Sequence, residues 1–77
     1  MPKALVLITV DSGKDMEVVQ QLQKVSNVTE IYEVYGAYDI IIMLEAYSQS
    51  KVKETVFNKI RQLEHLKSTL TMMIVEE

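Results

Sequence analysis

The side chains with most chemical potential in this 77-residue chain cluster in Tyr35-Gly36-Ala37-Tyr38-Asp39. Two phenols, a carboxylate and one of only two glycines directly precede the apolar run Ile40-Ile41-Ile42-Met43-Leu44. A carboxylate at the mouth of a buried apolar segment is costly unless something pairs with it. A positive-φ glycine at that point leaves backbone amides open. Amides suit a carboxylate, and the Asp39 carboxylate suits an ammonium, so the group fits a zwitterion. On these residues alone a purely structural role is the favoured reading, with Gly36 shaping a hairpin and Asp39 capping nearby amides. Thr69 and Thr71, two apart near the start of a last strand, put two hydroxyls on one face. They read either as a further polar contact or as ordinary edge-strand threonines.

Catalytic chemistry finds little to work with. The chain has no cysteine, which removes thiol nucleophiles, disulfides and thiolate metal sites. The lone His65 falls at a predicted helix C-terminus, where its charge suits the macrodipole better than general-base work. Glu76-Glu77 reads as a solvated acidic tail. No Gly-rich phosphate loop or metal-spaced cluster occurs. Met16, Met43, Met72 and Met73 read as core or interface filler. The expectation is a non-enzyme with no metal and no cofactor.

Charge narrows the partners. Eight Lys/Arg against eleven Asp/Glu give a net charge of −3, and the bases are scattered through helical segments. A nucleic-acid binder should carry a basic stripe, so direct nucleic-acid contact is not expected. No signal-peptide pattern occurs, and no apolar run reaches about 18 residues. The cytoplasm is the expected location, without a membrane partner.

The positioning elements alternate as β-α-β-β-α-β. Strands are predicted over Ala4 to Val10, Val28 to Tyr35, Tyr38 to Ala46, and Thr69 to Val75. A first helix is predicted from Lys14 to Val25, after a turn and N-cap in Asp11-Ser12-Gly13. Its apolar face is Met16, Val19, Leu22 and Val25, with Val18 alongside. A second helix, Ser50 to His65, has Ser48 and Ser50 as candidate caps. Val52, Val56, Ile60 and Leu63 form its stripe, with Phe57 beside it.

The halves form a weak internal repeat, with Leu22-x-x-Val25 and Leu63-x-x-Leu66 in matching places. Two such units give a ferredoxin-like α+β fold, an antiparallel sheet in order 4-1-3-2 with both helices on one face. Strands 1 and 3, uniformly apolar, suit the centre. Strand 2 with Thr29, Glu30 and Glu33, and strand 4 with Thr71, suit the edges.

A chain this short buries only about 60–65% of its unfolded surface, so one domain is expected and its stability is marginal alone. Leu5 to Ile8 and Ile40 to Met43 place aliphatics on both sheet faces. The face without helices would then expose about four to six large side chains, each stabilising by ~1.5–3 kcal/mol when buried. A homodimer through facing sheets is the expectation.

The pattern Val28-x-x-Ile31-Tyr32-x-Val34 leading into Gly36-x-Tyr38-Asp39-Ile40, with Leu63, Leu66 and Thr69-x-Thr71, resembles a known family. It is similar, over essentially the whole chain, to the RAM domain of Lrp/AsnC (feast/famine) transcription regulators, their effector-binding half. The resemblance implies a ferredoxin-like fold, sheet-to-sheet dimers, higher oligomers, and an amino acid or related small metabolite bound between dimers. The matching site positions are Tyr32, Gly36, Tyr38, Asp39, Thr69 and Thr71. Two departures stand out: Tyr35 where the family often has a small hydroxylated residue, and Ala37 where it often has an acid. The family's DNA-binding helix-turn-helix has no counterpart, because the first strand begins almost at Met1. A stand-alone RAM module is expected, one that tunes full-length Lrp/AsnC-type regulators by co-assembly.

Two other readings share the strand order. An ACT-like amino-acid sensor would use a glycine loop after strand 1, here Ser12-Gly13. A small dimeric α/β-barrel enzyme of the cofactor-free monooxygenase kind would need polar or aromatic side chains inside the sheet. The chain has no tryptophan, and its one histidine is predicted outside the sheet.

Overall fold

A computed structural model describes residues 1–75. The expected acidic tail, Glu76-Glu77, lies outside the described residues. The chain runs β1 (Lys3–Val10), α1 (Asp15–Leu22), β2 (Val28–Glu33), β3 (Ile40–Glu45), α2 (Gln49–Thr55), a π-helical turn (Val56–Ile60) and β4 (Leu66–Met73). The four strands form one antiparallel sheet in the order β2-β3-β1-β4, the expected arrangement read from the other edge.

Alternation along β1 and β3 sorts side chains by face. Ala4, Val6, Ile8 and Val10 of β1, with Ile40, Ile42 and Leu44 of β3, are buried under the helices. They pack with Val18 and Leu22 of α1 and with Val52, Val56 and Ile60 from α2 and its π turn. Thr55, the one buried polar residue among the described residues, donates to Lys51 O (2.9 Å) and accepts from Asn27 Nδ2 (2.8 Å). That pair ties α2 to the entry of β2, and no buried side-chain N or O atom among the described residues lacks a hydrogen-bond partner.

Element boundaries differ from expectation for identifiable reasons. Helix α1 stops at Leu22, not Val25, because Lys24 and Val25 donate to Gln21 and Leu22, tightening the end into 3₁₀-type bonding. Asp11-Ser12-Gly13 makes the turn, with Lys14 N bonded to Asp11 O, but no side chain caps α1. Met16 is exposed, and Val18 takes the buried place expected of it.

The second helix is capped by Ser48, whose Oγ accepts from Lys51 N (3.1 Å). It becomes a π turn at Val56, with Arg61 N bonded to Val56 O. A stripe spaced four apart drifts about 40° per step on a 3.6-residue helix. One turn with more residues brings Ile60 back beneath Val52 and Val56, all three buried. The same turn rotates Phe57 outward, against the expectation that it lines the stripe; it is 60% exposed.

Strand β4 starts at Leu66, three residues before the expected Thr69. His65 adopts φ 69°, a left-handed residue that reverses the chain, and its carbonyl accepts from Asp11 N (2.8 Å). The β2–β3 hairpin is shorter in its strands than expected. Pairing ends at Glu33 opposite Ile40, and Val34 N bonds to Asp39 O (2.9 Å) to close the loop.

Candidate functional site

Asp39 is held at the end of β3 by three hydrogen bonds. Its N–H donates to Ile8 O (2.9 Å), its carbonyl accepts from Val34 N, and its Oδ2 accepts from Val10 N (2.9 Å). The last contact caps a β1 amide that the β3 ladder no longer reaches, so the structural role weighed from sequence is present. The other carboxylate oxygen makes no hydrogen bond among the described residues.

That carboxylate lines a cleft of about 430 Å³ at the end of the sheet, between the β1–α1 turn and the β2–β3 loop. Asp11, Asp15 and Glu33 line the cleft with it, and no Lys, Arg or His does. His65 Nδ1 lies 3.6 Å from Asp11 Oδ2, and Lys14 reaches Glu17 at 3.7 Å. The arrangement favours a cationic group and repels an anion. Ser12 and Gly13 contribute the facing wall, so the loop that an ACT-like reading pointed to joins the Asp39 loop in one cleft.

Gly36 has φ 133° and would meet no heavy atom within 4 Å if it carried a Cβ. Backbone conformation, not space, calls for glycine here. Tyr35 at the cleft edge is fully exposed, whereas Tyr38 is half-buried and does not line the cleft.

Thr69 and Thr71 stand opposite Ile8 and Val6, which places them on the helix side of β4. They line a groove of about 560 Å³ with Val56, Arg61, Leu66, Lys67 and Ser68. A smaller apolar groove of about 250 Å³ adjoins it, lined by Lys53, Val56, Phe57, Arg61, Thr71 and Met73. The Arg61 guanidinium sits 5.4 Å from the Phe57 ring centroid.

Tyr32 lies on the opposite, helix-free face, in register with Ile41. Its hydroxyl donates to the Glu30 carboxylate on the same face. The Glu30 hydrogen bond, and then its charge, hold the phenol above its ordinary pKa.

The six positions therefore divide into three places on one chain: the Gly36–Asp39 loop, the Thr69/Thr71 groove, and Tyr32 on the open face. Arg61, Lys67 and Phe57 were not singled out for binding from sequence. A signal was available, because residues 51–67 hold five of the eight bases: Lys51, Lys53, Lys59, Arg61 and Lys67.

A βαββαβ chain with one antiparallel sheet in the order β2-β3-β1-β4 and its helices on one face has the ferredoxin-like α+β architecture. A sequence model of the Lrp/AsnC ligand binding domain matches residues 3–77, and the chain belongs to that family. The crystal structure of FFRP-DM1 is 32% identical, with TM-score 0.93, over 97% of this chain and 100% of that one. Hypothetical protein PHS023 from Pyrococcus horikoshii is also 32% identical, with TM-score 0.91, over 100% of this chain and 93% of that one. AsnC of E. coli shares the fold at 23% identity and TM-score 0.92, where 99% of this chain covers 52% of that protein. No curated protein matches. No helix among the described residues is long and apolar enough to cross a membrane.

Proposed function

We propose that this chain is an oligomeric sensor of an amino acid or a related small metabolite, with the ligand held between copies. One observation carries the reading: the acidic cleft at Asp39 and the hydroxyl groove at Thr69/Thr71 lie on either side of β1 and share no lining residue. Asp39 and Thr69 flank Ile8 of β1 from the β3 and β4 sides, two strand spacings apart or roughly 10 Å. The ammonium and α-carboxylate of a free amino acid lie within about 4 Å of each other. Its charged head therefore reaches one cleft per chain, and engages both kinds of group only where two copies meet.

The first assembly step is a sheet-to-sheet homodimer. Leu5, Leu7, Ile41, Met43, Leu70 and Met72 share the helix-free face, with Leu70 48% and Met72 44% exposed. Burying six such side chains contributes on the order of 10 kcal/mol as an upper bound. Lys3 and Glu45, paired across β1 and β3, mark the rim of this face. Further association through the clefts then responds to ligand. Co-assembly with full-length Lrp/AsnC-type regulators through the same surfaces would carry the signal to a partner that reads DNA.

A thermal-shift screen of the twenty amino acids tests the reading. A ligand that binds only the native state raises stability by RT ln(1 + L/Kd), about 2.7 kcal/mol at one hundred times Kd. At least one amino acid is expected to raise the midpoint, and Asp39→Asn to remove most of that shift. If none of the twenty moves the wild-type midpoint, the sensing assignment fails.

A further inference from the structure

We infer that Arg61 is the carboxylate anchor of this site, and that the groove beside it selects an apolar substituent. The inference takes from the proposed function only the view that the ligand is a small metabolite. The groove itself fits a carboxylate whether or not an amine accompanies it.

The acidic cleft cannot readily take the carboxylate end. Asp11, Asp15, Glu33 and Asp39 surround its amides, and like charges at these separations oppose an anion. The opposite electrostatics lie at the β4 edge. Arg61 and Lys67 line the groove with the Thr69 and Thr71 residues. A guanidinium binds a carboxylate through two parallel N–H···O bonds, and a hydroxyl adds a third donor.

Arg61 is available for this task. The ion pairs among the described residues are Lys14–Glu17, Lys51–Glu54 and His65–Asp11, so Arg61 and Lys67 join none of them. The π turn fixes the Arg61 backbone through its bond to Val56 O (2.9 Å). The Phe57 ring, 5.4 Å from the guanidinium, supports it without consuming its donors. This gives the outward rotation of Phe57 a use: it presents an aromatic floor beside a cation.

The adjoining space sets selectivity. Val56, Phe57, Met73 and Thr71 bound a groove of about 250 Å³ whose charged members, Lys53 and Arg61, are both cations. A neutral apolar substituent fits that lining, whereas a lysine or arginine side chain meets like charge. The ligand class is thus a small carboxylate that also carries a neutral apolar group.

The test is titration calorimetry with L-isoleucine, L-isoleucinamide, the corresponding 2-oxo acid and L-lysine, on wild type, Arg61→Gln, Arg61→Lys and Asp39→Asn. Because Arg61 is exposed, unliganded melting of the Arg61 variants should match wild type. Arg61→Gln is expected to weaken isoleucine and the oxo acid by about 10- to 100-fold, the worth of a charge-assisted hydrogen bond. Arg61→Lys, which keeps charge but loses the fork, should fall between. Isoleucinamide should bind wild type weakly and be indifferent to Arg61, and lysine should bind more weakly than isoleucine. Isoleucine binding that is unchanged in Arg61→Gln overturns the anchor while leaving amino-acid sensing intact. Arg61-dependent binding of the oxo acid without any amino-acid binding supports the anchor and overturns sensing. If neither compound binds wild type, both assignments fall.

Discussion

Asp39 carries two demands at once, and substitutions can separate them. One oxygen of its carboxylate satisfies the half-buried Val10 amide, and the charge faces an acidic cleft. Asp39→Ala leaves that amide without its partner and is expected to cost about 1–2 kcal/mol in urea unfolding. Asp39→Asn keeps an acceptor oxygen in place and should cost less than about 1 kcal/mol, while removing the charge an ammonium needs. Equal destabilisation by both variants would show that charge, not the acceptor, holds the corner. Tyr32 makes a separate prediction on the open face. Its pKa is raised in the folded state, mainly by the Glu30 hydrogen bond. A raised folded pKa means the contribution is fully present below the unfolded value of about 10 and is lost as pH rises through the folded value. The stability difference between wild type and Tyr32→Phe should therefore be flat at neutral pH and shrink above about pH 10. A difference that grows with alkaline pH contradicts the assigned contact. That Asp39 would cap a nearby amide was legible from residue types alone. Arg61 was not, because its relevance depends on a turn that brings residues 57 and 61 beside β4.

The elements show where local sequence runs out. Continuous aliphatic runs and helical spacing specify β1, β3 and the buried sides of both helices, and the sheet order follows from chirality and edge polarity. Boundaries depend on tertiary terms. The π turn resolves a stripe whose four-residue spacing does not match an α-helix. The early start of β4 follows from His65 in a left-handed conformation, a place where sequence alone offers no glycine to mark the reversal. The π turn has a measurable consequence. Ile60 is fully buried, so Ile60→Ala is expected to cost about 2–4 kcal/mol. Phe57 is 60% exposed, so Phe57→Ala should cost less than about 1 kcal/mol. An uninterrupted α-helix with Phe57 in the core predicts large losses at both positions, and denaturant unfolding of the two variants decides between the geometries.

At the scale of the whole molecule, the fold is polarised in two respects. One sheet face is covered by helices and the other presents six half-open apolar side chains. Residues 1–45 hold seven acids and three bases, whereas residues 51–67 hold two acids and five bases. The open face favours a dimer of like surfaces, and the charge separation favours contacts between unlike surfaces. Leu7→Lys places a charge in the middle of the open face, opposite Ile41 and Leu70. It should yield a monomer in sedimentation at micromolar concentration while the far-ultraviolet circular dichroism stays native-like. A variant that still dimerises would move the interface elsewhere. The most direct test of an assembly-linked sensor is sedimentation velocity of the wild-type chain, with and without a saturating amino acid taken from the thermal-shift screen. The proposed function predicts a dimer without ligand and a shift to larger species with it. The same distribution under both conditions, with an amino acid that does stabilise the fold, would contradict ligand binding between copies.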